Sequence, residues 1–402
     1  MTIAPGTVVS DPHPNATAPA VPAVSNDAAI PARMPTQAMI LVMLNSGKGV
    51  SDLILSPGRP PQVELHGQLT PVVIPELPML LPADTTRIAG DLIGSNKQAM
   101  QSLKEQGSCD LSYSIPQHTR FRVNIFRQRG TYAIVMRVIP SQIPTIAQLN
   151  LPDTMTEIAA LKNGIVLVTG PTGSGKSSTL AAIINLINET RADHILTIED
   201  PIEFLHPHKK GTIHQRELHS DTPTFALALR AALRQAPKVI LVGEMRDRET
   251  IEIAMTAAET GHLVFSTLHT IDASKTVERI IGSFDAADQQ AIRTRLSASF
   301  RYFISQRLLP KKNGGRVAVL EILKSTMRTK EYIERGESEG RSLLDAMRDG
   351  DLDGMRHFDG EIERLVREGV VSMQTGLLFA TNAGNLRLQL ADIPEEDAEI
   401  TR

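Results

Sequence analysis

The chain has 402 residues and a formal net charge of −3, so no overall positive field favours nucleic acid or an anionic membrane as a partner. Aromatic residues make up only 3% of the sequence, and its single cysteine, Cys109, excludes an intrachain disulfide and a four-thiolate zinc site. Because the sequence contains neither a signal peptide nor an apolar run of about 18 residues, we expect a cytoplasmic protein without direct membrane insertion. The charge balance and the scarcity of aromatic residues lead us to expect no nucleic-acid partner.

The first part of the chain predicts a tail, one domain and a linker. Residues 1–34 are rich in Pro, Ala, Thr and Ser and predict a disordered tail, because they bury too little apolar surface to offset their ordering entropy. A helical pattern begins at Thr36 and alternating strands follow, so 35–139 is expected to form an antiparallel α+β domain. The proline-containing stretch 140–151 is expected to be a linker.

The rest of the chain alternates strand and helix patterns before it becomes helical. Over 152–285, apolar runs of strand length alternate with helical segments, which predicts a parallel sheet with helical crossovers. Apolar residues three and four positions apart across 286–306 predict a helix there. We therefore expect an α/β fold in which 286–392 forms a helical C-terminal part and 393–402 a loose tail.

A glycine-rich stretch lies between a predicted strand, 164–169, and a predicted helix. It matches the pattern G-x-x-x-x-G-K-[ST] at every fixed position: Gly170-Pro171-Thr172-Gly173-Ser174-Gly175-Lys176-Ser177, followed by Ser178. Glycines let backbone N–H groups approach phosphate oxygens, and the helix N-terminus adds unpaired donors and the positive end of its dipole. Lys176 would supply a charge for the β and γ phosphates, and Ser177 an oxygen for Mg²⁺. The sequence therefore predicts a nucleoside triphosphate site.

Acidic residues follow two further apolar strands. Glu244 ends one of them, and the carboxyl end of a parallel strand faces the ligand, so Glu244 would lie on the Mg²⁺ side of Ser177 if the two strands were neighbours. Hydrolysis needs another carboxylate that activates the attacking water. We expect Glu203 in that role, although spacing alone does not separate it from Glu199 or Asp200.

Histidines and arginines complete the candidate site. His262 and His269 stand at the two ends of a predicted strand, and His269 could contact the γ-phosphate, whereas a separation of seven positions on a strand argues against zinc. Arg120 and Arg122 lie on one face of another strand by its period of two. Their guanidinium groups could act together on phosphate, or each could lie on a solvated strand face.

These blocks, taken in order, resemble the secretion ATPases of type II secretion and type IV pili. The resemblance spans about residues 36–390 and is strongest to the PilT type, the pilus retraction motors, because one cysteine cannot form the four-cysteine zinc insert of the assembly motors. It rests on the glycine loop, the stretches 197–204, 242–247 and 262–269, and, in the family's N-terminal domain, Ser51-Asp52-Leu53 and 120–124.

The resemblance implies a PAS-like N-terminal domain, a RecA-like P-loop ATPase domain and bound ATP with Mg²⁺. It further implies a homohexamer that works at an inner-membrane pilus platform protein, with a related accessory ATPase as another partner. Residue roles follow by position: Glu203 matches the catalytic glutamate, Glu244 the Walker B acid, His262 and His269 the histidine box, and Arg122 and Arg137 the N-terminal-domain arginines that reach the phosphates.

The sequence departs from the retraction type at two places. Lys238 stands where the family usually has an acidic residue. The stretch 328–335 differs from the C-terminal block of the retraction type, and this difference concerns the production of force more than ATP hydrolysis. We expect an ATP-driven motor that retracts the pilus by extracting pilins. The alternatives are an accessory pilus or type II secretion ATPase, a non-catalytic nucleotide-binding ring subunit, and a DNA-handling motor, against which the net charge and scarce aromatic residues argue.

Overall fold

The computed structural model describes residues 34–116, 118–140 and 142–393. The predicted disordered tail lies outside the described residues except for Met34, and the predicted loose tail lies outside them except for Ile393. The described chain contains two β-sheets, one in an N-terminal domain and one in a C-terminal domain.

The N-terminal domain is an antiparallel sheet packed against helices. Its elements are α1 (Thr36–Leu44), β1 (Val50–Leu55), β2 (Gln62–Leu65), β3 (Gln68–Pro71), α2 (Pro82–Ile93), α3 (Lys97–Glu105), β4 (Ser108–Ile115), β5 (Thr119–Gln128) and β6 (Thr131–Ile139). The strand order is β3-β2-β1-β6-β5-β4, and every pair is antiparallel. Alternate side chains of β5, including Phe121 and Val123, enter a core shared with the three helices, which leaves the intervening arginines on the other face.

The C-terminal domain is built on a mixed sheet of seven strands. These are β7 (Gly164–Thr169), β8 (His194–Glu199), β9 (Thr212–Glu217), β10 (Val239–Val242), β11 (Leu263–Leu268), β12 (Phe300–Pro310) and β13 (Arg316–Lys324). Their order is β13-β12-β7-β11-β10-β8-β9. Neighbours from β12 to β9 are parallel, as the alternation of strands and helices predicts, and β13 pairs antiparallel with β12.

Helices cover both faces of this sheet. They are α4 (Thr154–Ala160), α5 (Lys176–Thr190), α6 (Phe225–Ala232), α7 (Arg248–Glu259), α8 (Ala273–Ile281), α9 (Gln289–Ser299), α10 (Met327–Arg335), α11 (Leu343–Asp349), α12 (Phe358–Arg367), α13 (Met373–Phe379) and α14 (Ala383–Gln389). One core joins the sheet to α6 through α11, another joins it to α4 and α5, and α12 through α14 pack on the far ends of β12 and β13. Among the described residues, no helix has both the length and the apolar character to cross a membrane.

The expectation of a helix across 286–306 is wrong from Phe300 onward. The chain becomes extended at Phe300, directly after α9, with φ −68° and ψ 149°. β12 is covered on both faces, so Phe303 packs into one core and Ile304 into the other. A strand buried on both faces shows a continuous apolar run, which periodicity does not distinguish from a buried helix. The part expected to be helical, 286–392, thus contributes two strands to the central sheet.

Candidate nucleotide-binding site

The glycine loop connects β7 to α5 at the carboxyl edge of the parallel strands. Gly170, Gly173 and Gly175 have φ values of 142°, 79° and 89°, which favour glycine. A Cβ on Gly170 would lie 2.4 Å from the carbonyl oxygen of Gln306 and 2.7 Å from the Oγ of Ser174. The loop therefore requires glycine at its first position, and it leads directly into the N–H groups of α5 that have no intrahelical partner.

Lys176 begins α5 and is buried in the loop. Its Nζ donates hydrogen bonds to the carbonyl oxygens of Gly170, at 2.8 Å, and Pro171, at 3.0 Å. Burial lowers the pKa of Lys176, and the charges of Glu203 and Glu244 act in the opposite direction. The ammonium group therefore lies at the mouth of the loop, within electrostatic reach of both predicted catalytic carboxylates.

A cleft of about 1060 Å³ opens beside the loop and gathers most of the predicted site residues. Gly170, Pro171 and Ser174 are not in its lining; Ser174 is buried, and its Oγ has no hydrogen-bond partner among the described residues. The lining includes Thr172, Gly173, Gly175, Lys176, Ser177 and Ser178 of the loop, with Arg122, Glu199, Asp200, Glu203, Glu244, Arg246 and His269 around them. Cationic and anionic groups thus face one cavity of a size suited to a nucleotide.

Glu244 follows β10 and lies in the cleft, although β10 is not a neighbour of β7. β11 lies between the two strands. The carboxylate still reaches the cleft because all three parallel strands end at the same edge of the sheet. One of its oxygens contacts the Arg246 guanidinium group, and the other lies 3.5 Å from Nε2 of His269.

The structure distinguishes Glu199 from the other two acids that follow β8. Glu199 is held at the strand end, where its Oε1 accepts from Thr197 Oγ1 at 2.6 Å and from Gln215 Nε2 at 3.0 Å. Burial raises the pKa of Glu199, while these hydrogen bonds lower it. Glu203 is exposed in the cleft. A carboxylate held by hydrogen bonds suits a structural role, whereas Glu203 and Asp200 are both exposed in the cleft and available to a water molecule.

Three of the other predicted site residues fall into two groups. Arg122, on β5 of the N-terminal domain, lines the cleft. Arg137 lies opposite it on β6 but outside the lining, and its Nε donates to Asp52 Oδ1 at 2.8 Å. His262 precedes β11, and its Nδ1 donates to the Ala257 carbonyl oxygen, 2.9 Å away. The length of β11, about 20 Å, therefore separates His262 from the strand end that faces the cleft. Within this chain neither Arg137 nor His262 lies in the cleft lining, and their roles at the nucleotide stay predictions.

Gln306, which the sequence analysis does not single out, holds the glycine loop against β12. Its Nε2 donates to the Ser174 carbonyl oxygen at 2.7 Å, and its Oε1 accepts from Thr179 Oγ1 at 2.8 Å. The residue is only 3% exposed. No pattern indicates this role in advance, since Gln306 lies on a strand that the periodicity assigns to a helix.

The groups in the cleft fit a magnesium ion that accompanies a nucleotide. Ser177, on the first turn of α5, and Glu244, across the cleft, offer a hydroxyl and a carboxylate. Mg²⁺ prefers oxygen ligands and usually takes one or two from the protein and the rest from water and phosphate. This donor set therefore suits Mg²⁺ better than a softer metal.

Comparison with known proteins agrees with this geometry. Residues 101–336 match the family described as "Type II/IV secretion system protein". Over 334 residues the chain is 42% identical to the type IV pilus retraction ATPase PilT of Pseudomonas aeruginosa, a match that covers 83% of this chain and 95% of that one. The chain belongs to the type II/IV secretion system protein family.

Two further comparisons show which members of the family the chain resembles. Over 360 residues the chain is 37% identical to the type IV pilus ATPase PilU of Pseudomonas aeruginosa, covering 89% of this chain and 92% of PilU. The crystal structure of the pilus retraction motor PilT with bound ADP superposes with a TM-score of 0.74 at 41% identity, over 83% of this chain and 94% of that one. The protein is thus a P-loop ATPase with a PilT-like mixed α/β fold, and it is similar to PilT and PilU among the type IV pilus ATPases.

A line of buried polar groups runs from the glycine loop to α8. Thr169, the last residue of β7, donates through Oγ1 to Ser305 Oγ at 3.1 Å, and Ser305 donates to Glu321 Oε1 at 3.3 Å. The same oxygen accepts from the N–H of Ala273, the first residue of α8, at 2.8 Å. Burial raises the pKa of Glu321 to about 7; the Ala273 N–H lowers it and the charge of Asp272 raises it further.

We predict that Glu321 makes folding stability fall as pH rises from about 4.5 to about 7. The unfolded chain loses this proton near pH 4.5, whereas the folded chain keeps it up to about 7, so the folded state binds more protons in this window. Above about pH 7 the free energy of unfolding is lower by the full amount, on the order of 3 kcal/mol, and below about pH 4.5 it is not lowered. Urea unfolding at about pH 5 and about pH 8 should show this decrease in the free energy of unfolding in wild type but not in Glu321→Gln. Equal pH dependence in the two proteins would contradict the prediction.

We also predict that Gln306→Ala weakens ADP binding by about tenfold, because the glycine loop and α5 each lose a buried hydrogen bond and the loop becomes less well held. Calorimetric titration of folded protein with ADP measures the change. Gln290→Ala is the matched control, since Gln290 donates to the Glu334 carbonyl on the outer surface of α9. ADP affinity in Gln306→Ala equal to that of the control would contradict the assigned role of Gln306.

Proposed function

We propose that the protein is a hexameric ATP-hydrolysing motor that drives type IV pilus retraction, and hence twitching motility, by depolymerising pilin. The observation that carries the proposal is the cleft, where the glycine loop faces Glu203 and Glu244 and Arg122 enters from the N-terminal domain. Similarity to the retraction ATPase PilT over 83% of the chain supports the proposed output.

ATP is the proposed substrate. Lys176 and the N–H groups at the start of α5 bind its β and γ phosphates, and Ser177 and Glu244 hold Mg²⁺, the latter through water. The ion, when bound, offsets phosphate charge in the transition state. Glu203 orients the attacking water and takes up its proton. His269, whose Nε2 lies 3.5 Å from Glu244, contacts the γ-phosphate in this proposal.

The N-terminal domain supplies the proposed link between chemistry and movement. Arg122 is exposed on β5 and lines the cleft, so its guanidinium group can pair with phosphate oxygens when the domain lies against the site. Loss of the γ-phosphate would remove a partner of Arg122 and favour domain rotation. Arg137 would have to release Asp52 before it could join Arg122.

The proposal extends to assembly and location. The N-terminal domain is taken as PAS-like and the ATPase core as RecA-like, and the working unit as a homohexamer. It would act on the cytoplasmic side of the inner membrane, at the pilus machine, against a platform protein and with a related accessory ATPase as a further partner. Neither a nucleic-acid partner nor direct membrane insertion is part of the proposal.

A second candidate is an accessory pilus ATPase that works beside a separate retraction motor. The observation that favours it is the similarity to PilU, which extends over 89% of this chain, against 83% for PilT. A type II secretion ATPase and a non-catalytic ring subunit are further alternatives. The presence of Glu203 and Glu244 in one cleft argues against the non-catalytic subunit.

The experiment that tests the proposal is a deletion strain complemented with wild type or with Glu203→Gln. We predict surplus surface pili and no twitching in the deletion strain, rescued by wild type and not by the variant, because retraction requires hydrolysis. Electron microscopy of pili and a twitching-zone assay give the two readouts.

Other outcomes would assign another function. Loss of pili would indicate an assembly motor, and normal pili with normal twitching would indicate an accessory or redundant ATPase. Either result would contradict the proposed retraction function, whatever the hydrolysis rate measured on the purified protein.

A further inference from the structure

An ion pair joins the two domains next to the nucleotide cleft but outside its lining. Nη2 of Arg120, on β5, donates to Oε2 of Glu217 at 2.9 Å, and the two residues are 97 positions apart in the chain. Their side chains are 19% and 4% exposed. Because Glu217 ends β9, the edge strand of the seven-stranded sheet, this contact attaches the N-terminal sheet to the ATPase sheet.

Glu217 has a second partner that leads into the site. The same Oε2 accepts a hydrogen bond from the backbone N–H of Ile202 at 2.9 Å. Ile202 directly precedes Glu203, the exposed carboxylate of the cleft. The N–H of Glu203 itself lies 3.5 Å from Glu199 Oε2, at the upper limit for a hydrogen bond. The bond from Ile202 to Glu217 is therefore the shorter of the two tethers on this turn.

Burial makes the ion pair necessary for this tether. The Glu217 carboxylate lies almost wholly out of water, and an uncompensated buried charge is strongly unfavourable. Ser220 Oγ approaches its other oxygen only at 3.5 Å, so Arg120 is the cation that compensates the charge. Without Arg120, the Glu217 carboxylate is more stable when its side chain turns toward water. In that position it no longer accepts the hydrogen bond from the Ile202 N–H.

We propose that Arg120 is a positioning residue for hydrolysis. With the N-terminal domain against β9, Arg120 holds Glu217, and Glu217 holds the turn that carries Glu203 in the cleft. This rests on the proposed function, in which Glu203 activates the attacking water. Arg122, two residues along the same face of β5, lines the cleft itself, so one strand places one arginine in the cleft and another on Glu217, which binds the turn that carries Glu203.

The kinetic test uses the full-length protein and separates kcat from KM for ATP. We expect Arg120→Gln to lower kcat about tenfold with KM changed less than about twofold, because the phosphate contacts remain while the carboxylate is misplaced. Arg59→Gln is the matched control, since Arg59 is an exposed arginine in a turn of the same domain. A kcat in Arg120→Gln equal to the control, or a rise in KM alone, overturns the proposal.

Two variants of Glu217 separate positioning from simple domain attachment. In Glu217→Gln the side-chain oxygen can still accept from Ile202, so kcat falls less than in Glu217→Ala. The charge reversal Arg120→Glu with Glu217→Arg restores an ion pair but leaves Ile202 without an acceptor. Positioning predicts no recovery of kcat in the reversed pair, whereas recovery to the wild-type value would mean that the contact only joins the domains.

Hydrogen exchange of the turn gives a readout that does not depend on the role of Glu203. We expect the amide of Ile202 to exchange about tenfold faster in Arg120→Gln than in wild type or Arg59→Gln, while amides in the middle of β7 are unchanged. Unchanged exchange at Ile202 overturns the proposal. If exchange rises but Glu203→Gln retains full hydrolysis, the tether stands and the assignment of Glu203 in the proposed function fails.

Discussion

The site depends on the position of β7, the strand that delivers the glycine loop. β7 is hydrogen-bonded on both sides, to β11 and to β12, so its carboxyl end cannot shift without breaking two ladders. The same two neighbours bring functional side chains with them. β11 leads to His269, and β12 carries Gln306, which binds the loop itself. The position of the phosphate-binding loop is thus fixed by the pairing of three strands, and glycines are needed because the packed neighbours leave no room for larger side chains.

The catalytic acids are held in a different way. Glu203 lies on a long connection between β8 and β9 that is fastened by side chains rather than by a backbone ladder. Gln215 accepts from the His206 N–H at 2.8 Å and donates to the Phe204 carbonyl at 2.9 Å, and Glu217 accepts from Ile202. The proposed role of Arg120 would couple this connection to the N-terminal domain through Glu217, whereas the glycine loop is held by strands of its own sheet. Binding and hydrolysis therefore have separate structural supports.

Much of the binding half of the site is predictable from the sequence, because a short pattern in a strand-loop-helix context specifies it. The acids are harder to assign. Glu199, Asp200 and Glu203 are equivalent by spacing, and the hydrogen bonds of Glu199 distinguish it from the other two, which are both exposed in the cleft. Gln306 and Glu217 are not predictable at all, since each acts on a residue far away in the chain.

The fold, like the site, is predictable from the sequence only in part. Alternating strands and helices indicate the parallel sheet, since each crossover repeats a local pattern. β12 is misassigned because burial on both faces removes the alternation that marks a strand. β9, a polar edge strand, has no apolar run to indicate it. Arg122 and Arg137 are cross-strand neighbours, and only Arg122 lines the cleft because Asp52 binds Arg137 and because of how the two domains meet, neither of which a local pattern specifies.

The most direct test of this account measures binding and hydrolysis on one preparation of Glu203→Gln. The account predicts that ATP affinity stays within about threefold of wild type, since the loop is held by β7 and β12, while phosphate release slows by about 100-fold or more. Hydrolysis at the wild-type rate would contradict it and transfer the role to Asp200 or Glu199. Loss of ATP binding together with hydrolysis would contradict the separation of the two supports.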